Sequence, residues 1–169
     1  MKIVILQGSP RHGNTYAMAK AFEEGASGAG HTVDMVEIGR MKINGCIGCM
    51  GCKKSDEHIC SQKDDMQEVY PKLMSADMVV IASPIYCWNF SGQMQSCITR
   101  FFAKSPLPVK KWGLLLSSGS PNMYDAALFT VNNMMKRYNA ELVGVVTAYG
   151  DENNSEAKLA EVKNFAANL

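Results

Sequence analysis

"KIVILQGSPRHGNT", residues 2–15, sets four consecutive apolar side chains, Ile3 to Leu6, directly before a loop bounded by Gly8 and Gly13. A short apolar run rich in β-branched residues reads as a strand covered on both faces. The loop after it stops one residue short of a triphosphate-binding motif. Gly8, Gly13 and Thr15 stand where that pattern requires them, but Asn14 takes the place of the lysine. A strand, a glycine loop and the start of a helix together aim free backbone amides and the positive end of the helix dipole at an anion. A triphosphate also needs the lysine and a magnesium site, so the pattern favours a terminal monophosphate. Arg11 brings a full charge, Ser9 and Thr15 bring hydroxyls and Asn14 an amide, a set suited to a dianionic monoester. The competing reading is an ordinary capped turn between strand and helix.

Outward from this stretch the chain alternates short apolar runs with longer helical patterns, the mark of a parallel sheet with helices on both faces. Strands are expected at Lys2–Leu6, Thr32–Ile38, Met78–Ala82, Lys111–Ser117 and Glu141–Ala148, and helices at Thr15–Ala26, Met66–Met74, Gly92–Ala103, Tyr124–Tyr138 and Ser155–Asn168. The second strand, "TVDMVEI", alternates polar and apolar residues and belongs at an edge; the others are near-continuous apolar runs. Right-handed crossovers then give the order 2-1-3-4-5. Asp64, with Gln67 three residues on, marks the start of the second helix, and Pro71 should kink it or split it after Tyr70. "GASGAG" at residues 25–30 follows a helix and precedes a strand, the wrong context for a dinucleotide fingerprint, and reads as a helix terminator and turn.

With 169 residues, 47% of them hydrophobic, the chain is read as a single domain over residues 1–169 whose core needs no staples. Seventeen Lys and Arg against 16 Asp and Glu give neither a basic nucleic-acid face nor an acidic electron-carrier surface. Small-molecule chemistry without nucleic acid is the reading that remains. No signal-like opening and no apolar run near the ~20 residues of a membrane span suggest a cytoplasmic protein with no membrane partner. Six cysteines in a reducing compartment point to metal or redox chemistry, not to a disulfide framework.

A second motif, "SPIYCWNFSGQM" at Ser83–Met94, follows the third strand. A loop there borders the same crevice as the first loop, at the switch point of the sheet. Together "GSPRHGNT" and "SPIYCWNFSGQM" resemble the NAD(P)H-dependent FMN reductase branch of the flavodoxin-like superfamily, over most of the chain. The resemblance implies a flavodoxin-like doubly wound five-stranded parallel sheet. It also implies that Ser9, Arg11, Asn14 and Thr15 grip the FMN phosphate, while Pro84, Ile85, Tyr86, Cys87, Trp88 and Asn89 lie along the isoalloxazine ring. A third ring contact is implied at Ser118, Gly119 and Ser120. The chemistry of the second loop agrees: amides for the pyrimidine edge and aromatic cover for the rest of a flavin. Tyr86, Trp88 and Phe90 are read as exposed on that loop, against the alternative that they pack a core edge.

"CIGCMGCKKSDEHIC" places Cys46, Cys49, Cys52 and Cys60 with two, two and seven residues between them. Two-residue gaps let thiolates turn toward one centre, and the intervening glycines permit the tight path. The spacing resembles that of the iron-sulfur flavoproteins of the same superfamily, which implies a 4Fe–4S cluster. Zinc and simple unligated thiols over the flavin remain open. His58 reads as a solvated loop residue, and Cys87 and Cys97 as packing residues. His12 is peripheral, no serine triad emerges, and the twelve methionines read as core filler. Gln95 and Thr99 stand where relatives often carry Lys and Asp, which weakens inherited surface contacts there.

These observations converge on an FMN-dependent oxidoreductase that takes hydride from NAD(P)H and passes electrons to a quinone, nitro compound, flavin or iron-sulfur partner, with the flavin and not a side chain carrying the chemistry. The resemblance implies a homodimer or higher homo-oligomer. Two other readings stay open: an electron-transfer iron-sulfur flavoprotein reduced by a ferredoxin-like donor without a nicotinamide site, and a nucleotide- or zinc-binding regulatory module.

Overall fold

The computed structural model describes residues 1–54 and 56–169. Its strands are β1 (Lys2–Gln7), β2 (Thr32–Val36), β3 (Met78–Tyr86), β4 (Asn89–Phe90), β5 (Lys111–Ser118) and β6 (Glu141–Tyr149). The helices are α1 (Asn14–Gly28), α2 (Met66–Met74), α3 (Gly92–Arg100), α4 (Asp125–Tyr138) and α5 (Glu156–Ala167). Five strands form a parallel sheet in the order β2-β1-β3-β5-β6, and β4 folds back antiparallel on the end of β3. Apart from that added hairpin strand, this is the arrangement expected from the sequence.

Alternate residues of each central strand feed two cores. Ile3, Ile5, Val80 and Leu115 pack with Met18 and Phe22 of α1 and Val162 of α5, while Val4, Leu6, Ile81 and Leu114 pack with residues of α2, α3 and α4. Gly25 does not terminate α1 but lies inside it, at the α5 contact, where a Cβ would stand 2.2 Å from the Lys163 carbonyl oxygen. The turn in the glycine string comes at Gly30, whose φ is +85°.

β3 extends four residues past its expected end, so Ser83 to Tyr86 are strand and not loop. β1 stops pairing with β3 at Ala82; Ser83 and Pro84 then pair only with β5, opposite Leu116 and Ser117, before Ile85 and Tyr86 pair with β4. Pro84 therefore sits on a locally free edge, where its missing N–H breaks no ladder. α2 also departs from expectation, running unbroken through Pro71. Buried Met66, Val69, Tyr70 and Leu73 hold it to the sheet, each worth roughly 1.5–3 kcal/mol against about 3 kcal/mol for an interior proline. Other boundaries shift slightly. β2 gives way after Val36 to a 3₁₀ turn at Ile38–Arg40, and α3 tightens into 3₁₀ geometry at Phe101–Lys104. No helix among the described residues is long and apolar enough to cross a membrane.

Candidate functional site

At the carboxyl ends of β1, β3 and β5 the loops enclose a cleft of about 410 Å³. One wall comes from Ser9, Arg11, Gly13, Asn14 and Thr15, and another from Pro84, Ile85 and Tyr86. Ser117, Ser118 and Gly119 form a third, and Gly150 and Asn153, after β6, complete it. The loop before α1 is pinned from below. Ser9, buried, donates its hydroxyl to the Arg11 carbonyl at 2.9 Å and accepts from the Arg11 amide at 3.2 Å. α1 starts with no side-chain cap and no acidic residue in its first turn, so its leading amides stay free for an anion. Arg11 is exposed, and no ion pair among the described residues engages it. His12 is held elsewhere, bonded to Glu37 at 2.7 Å and stacked on Tyr16.

Two residues of the cleft carried no usable sequence signal. Ser117 shares a 2.6 Å hydrogen bond with Thr15, so the Thr15 hydroxyl is already engaged across the sheet. Asn153 is buried and donates to the carbonyls of Ser118 and Gly150, at 2.9 and 2.8 Å, while its side-chain oxygen has no partner. That leaves one buried acceptor at the cleft for a hydroxyl or N–H of a bound molecule.

The hairpin from β3 to β4 turns on Cys87 and Trp88, both left-handed with φ of 49° and 63°. Such two-residue turns suit glycine and asparagine, so non-glycine residues there hold the backbone in a strained shape. The turn leaves Trp88 60% exposed beside Tyr86, and it also exposes Cys87, which is therefore no packing residue. Phe90, expected on the exposed side, is instead buried, because β4 returns it to the core. Cys87, Trp88, Asn89 and Ser120 do not line the cleft itself; Ser120 is exposed, its carbonyl accepting from the Ser118 hydroxyl at 2.7 Å.

A second, small cavity of about 20 Å³ is lined by Cys46, Cys49, Cys52 and Cys60, together with Arg100. Among the described residues no three His, Cys, Asp or Glu side chains already stand together as a metal-ligating group. The loop is nonetheless anchored at both ends. The Cys46 amide donates to the Thr99 hydroxyl at 3.1 Å, and Gln62 donates to the Gly45 carbonyl at 3.1 Å. Cys49, exposed, has its thiol pulled below the ordinary range by the Ser61 hydroxyl and the Gly51 amide. Cys97, wholly buried beside Met66, is pushed up to about 12 by burial and stays a thiol. His58 is exposed, with Nδ1 3.0 Å from the Cys52 carbonyl.

Arg100 is 1% exposed, and its Nη1 donates to Asp64 at 2.6 Å and to the Asn44 carbonyl at 2.9 Å. Burial would weaken its charge, but the hydrogen bond to Asp64 and the neighbouring Tyr70 and Cys60 outweigh it and hold the guanidinium more basic than usual. Asp64 is pulled the other way. Burial favours its neutral form, and the bonds from Arg100, Asn44 and Met66 overcome this to keep it below the usual carboxylate range. The N-cap position itself falls to Asp65 and not to Asp64, which bonds the Met66 amide from one residue further back. Gln67 turns to the carbonyls of Cys60 and Gln62 and not back to the helix start, so no reciprocal capping box forms.

The NADPH-dependent FMN reductase family model matches residues 1–167. The chain belongs to that family. An iron-sulfur flavoprotein of Archaeoglobus fulgidus is 32% identical over 155 residues, covering 89% of this chain and 69% of that one. One of Methanocaldococcus jannaschii is 39% identical over 114 residues, 63% of this chain and 54% of that one. The matched stretch spans about half the length of most of the curated relatives. An azoreductase of Bacillus anthracis superposes over the whole of both chains with a TM-score of 0.78 at 16% identity, a likeness of fold. In this member of the FMN reductase family, the two cavities lie toward opposite ends of α3. Ser91, its cap, bonds to Gly8 at the start of the first cleft-forming loop, and Arg100, its last residue, faces the cysteines.

Proposed function

We propose that the chain is an FMN-dependent oxidoreductase that is reduced by NAD(P)H and releases electrons to a quinone, nitro compound, flavin or iron-sulfur partner. One observation carries this reading: three separate loops and an uncapped helix start meet around a single cleft of about 410 Å³, within the range of small-molecule and cofactor sites. The residues fit the cofactor. The free amides of α1, the Arg11 charge and the Asn14 side chain suit a phosphate monoester, and Asn153 keeps a buried acceptor open. When bound, the flavin supplies hydride and single-electron chemistry. The chain's own part is to orient and shield: Pro84, Ile85 and Tyr86 form an apolar and aromatic wall, with Trp88 on the adjoining hairpin, and Ser118 and Gly119 line the same space. Catalysis then rests on placing donor against acceptor and on aimed dipoles, with no side-chain acid or base.

Cys46, Cys49, Cys52 and Cys60 are the residues that would hold a 4Fe–4S cluster. All four residues line one small cavity, and the buried guanidinium of Arg100 at its wall has donors left over for an anionic occupant. The test is spectroscopic. Anaerobically purified protein should bind FMN, show bleaching of the flavin band on addition of NADPH or NADH, and contain iron with acid-labile sulfide. Arg11→Ala should weaken FMN binding about tenfold or more, as expected for loss of a charge-assisted bond worth about 1.5–3 kcal/mol, and leave riboflavin affinity unchanged. A protein that refuses FMN ends this reading. Flavin binding without reduction by either nicotinamide, in an iron-containing protein, would favour the ferredoxin-reduced carrier.

A further inference from the structure

We propose that Arg100 is a hydrogen-bond donor and charge partner to the centre held by Cys46, Cys49, Cys52 and Cys60, and that it raises the reduction potential of that centre. The inference rests on the iron–sulfur reading above and adds to it a residue that is not a ligand.

The guanidinium is only half used. Nη1 meets Asp64 and Asn44, whereas Nε and Nη2, equally buried, have no partner. Arginine presents five N–H donors in a fixed fork, so three are left without an acceptor in a place water does not reach. A purely structural clip would pair both nitrogens of the fork with both carboxylate oxygens. Asp64 is not paired in this way: Oδ1 accepts from the Met66 amide, and Oδ2 takes both Nη1 and the Asn44 amide. The unused edge belongs to a side chain that lines the cysteine cavity, where Ile47, Met50, Phe102 and Ala103 offer only apolar surface. Gln62, also there, spends its side-chain nitrogen on the Gly45 carbonyl. Sulfur is the abundant acceptor among the cavity residues, and Cys60 lies beside the guanidinium together with Tyr70, whose hydroxyl proton goes to the Arg100 carbonyl.

Charge points the same way. Four thiolates around an iron–sulfur core leave a net negative charge, and adding an electron deepens it. A fixed cation beside the cluster therefore favours the reduced form, since net charge and hydrogen bonds to sulfur are the levers by which a protein sets such potentials. Arg100 is the arginine at this cavity; Arg11, Arg40 and Arg137 lie elsewhere in the chain and do not line it.

The experiment uses the full chain, purified anaerobically, with arginine labelled by ¹⁵N. In the dithionite-reduced protein, pulsed electron paramagnetic resonance should show ¹⁵N coupling to the cluster, and Arg100→Lys should abolish it. Potentiometric titration of the same samples should place the midpoint of Arg100→Lys below that of the wild type, with iron and sulfide content unchanged. An iron-loaded wild type with no ¹⁵N coupling overturns the proposal, as does an iron-loaded Arg100→Lys protein with an unaltered midpoint. A wild type that holds FMN but neither iron nor labile sulfide instead removes the iron–sulfur reading itself, a separate failure visible before any variant is made.

Discussion

Ser91 donates its hydroxyl to the Gly8 carbonyl at 2.7 Å and accepts the Met94 amide at 3.2 Å, joining the first cleft-forming loop to the start of α3 through one buried oxygen. The Ser91 amide is in turn received by the Ser83 hydroxyl at 3.2 Å, so β1, β3 and α3 meet at a single knot. Ser91→Ala removes a helix cap worth about 0.5–2 kcal/mol and strands a buried carbonyl at about 1–3 kcal/mol. Urea denaturation should show a loss of about 2–4 kcal/mol, and FMN affinity should fall with it although Ser91 touches no ligand. Unchanged affinity in a folded variant would show that the two loops hold their places independently.

Gly39 is a stronger constraint on the same loop. A Cβ there would stand 2.1 Å from the Ser9 carbonyl oxygen and 2.7 Å from the Pro10 nitrogen, both backbone atoms that cannot rotate away. Gly39→Ala must therefore push the Ser9–Pro10 segment toward the cleft. The expected result is a fold that survives, with about 1–3 kcal/mol lost to overpacking, and FMN binding weakened far more than riboflavin binding. Equal weakening of both, measured by fluorescence titration, would place the displacement at the ring and not at the phosphate end.

How much of this was legible beforehand follows from the range of each signal. The parallel order and the meeting of Ser9 and Arg11 with Pro84 came from strand periodicity and the switch-point rule, which depend on local pattern and handedness alone, whereas Ser118 came only with the family resemblance. The β4 hairpin was not legible, because its turn residues, Cys87 and Trp88, are not the glycine or asparagine that announce such turns. Asn153 was equally hidden: an asparagine in a polar run after the last strand is the commonest of loop residues until its side chain is found buried under Ser118. Arg100 lay inside the expected helix Gly92–Ala103 with nothing to single it out, and its pairing with Asp64, 36 residues away, is a tertiary fact that no local spacing encodes.

The hairpin itself separates stability from function. Trp88 is 60% exposed and left-handed, so it buries little to offset a conformation that costs a non-glycine residue about 1–2 kcal/mol. Trp88→Gly should therefore raise the unfolding free energy, by about 1 kcal/mol after the entropy lost by glycine, while reducing FMN affinity by removing aromatic cover. Thermal unfolding of the apoprotein and flavin titration are the paired measurements. A destabilised Trp88→Gly apoprotein would mean that the indole packs on the hairpin more than its exposure implies.

The buried pair of Asp64 and Arg100 predicts a specific response to acid. In the folded chain Asp64 gives up its proton more readily than in the unfolded chain, because bonds from Arg100, Asn44 and Met66 outweigh the cost of burying the charge. Its contribution to stability is therefore complete above the ordinary aspartate value of about 3.9, and it fades as pH falls below that toward the lowered folded-state value. Asp64→Asn abolishes this dependence and leaves a buried guanidinium without its counter-charge, which costs about 3–5 kcal/mol at neutral pH. Denaturation curves at pH 7 and pH 3 should thus differ strongly between wild type and variant at the higher pH and less at the lower one. Because Asp64 also binds the amide of Asn44, at the entry to the cysteine loop, the same acid range should expose that loop first, and protease cleavage between Asn44 and Lys63 should rise before global unfolding. Cleavage that appears only with global unfolding would show that the loop is held by something other than this carboxylate.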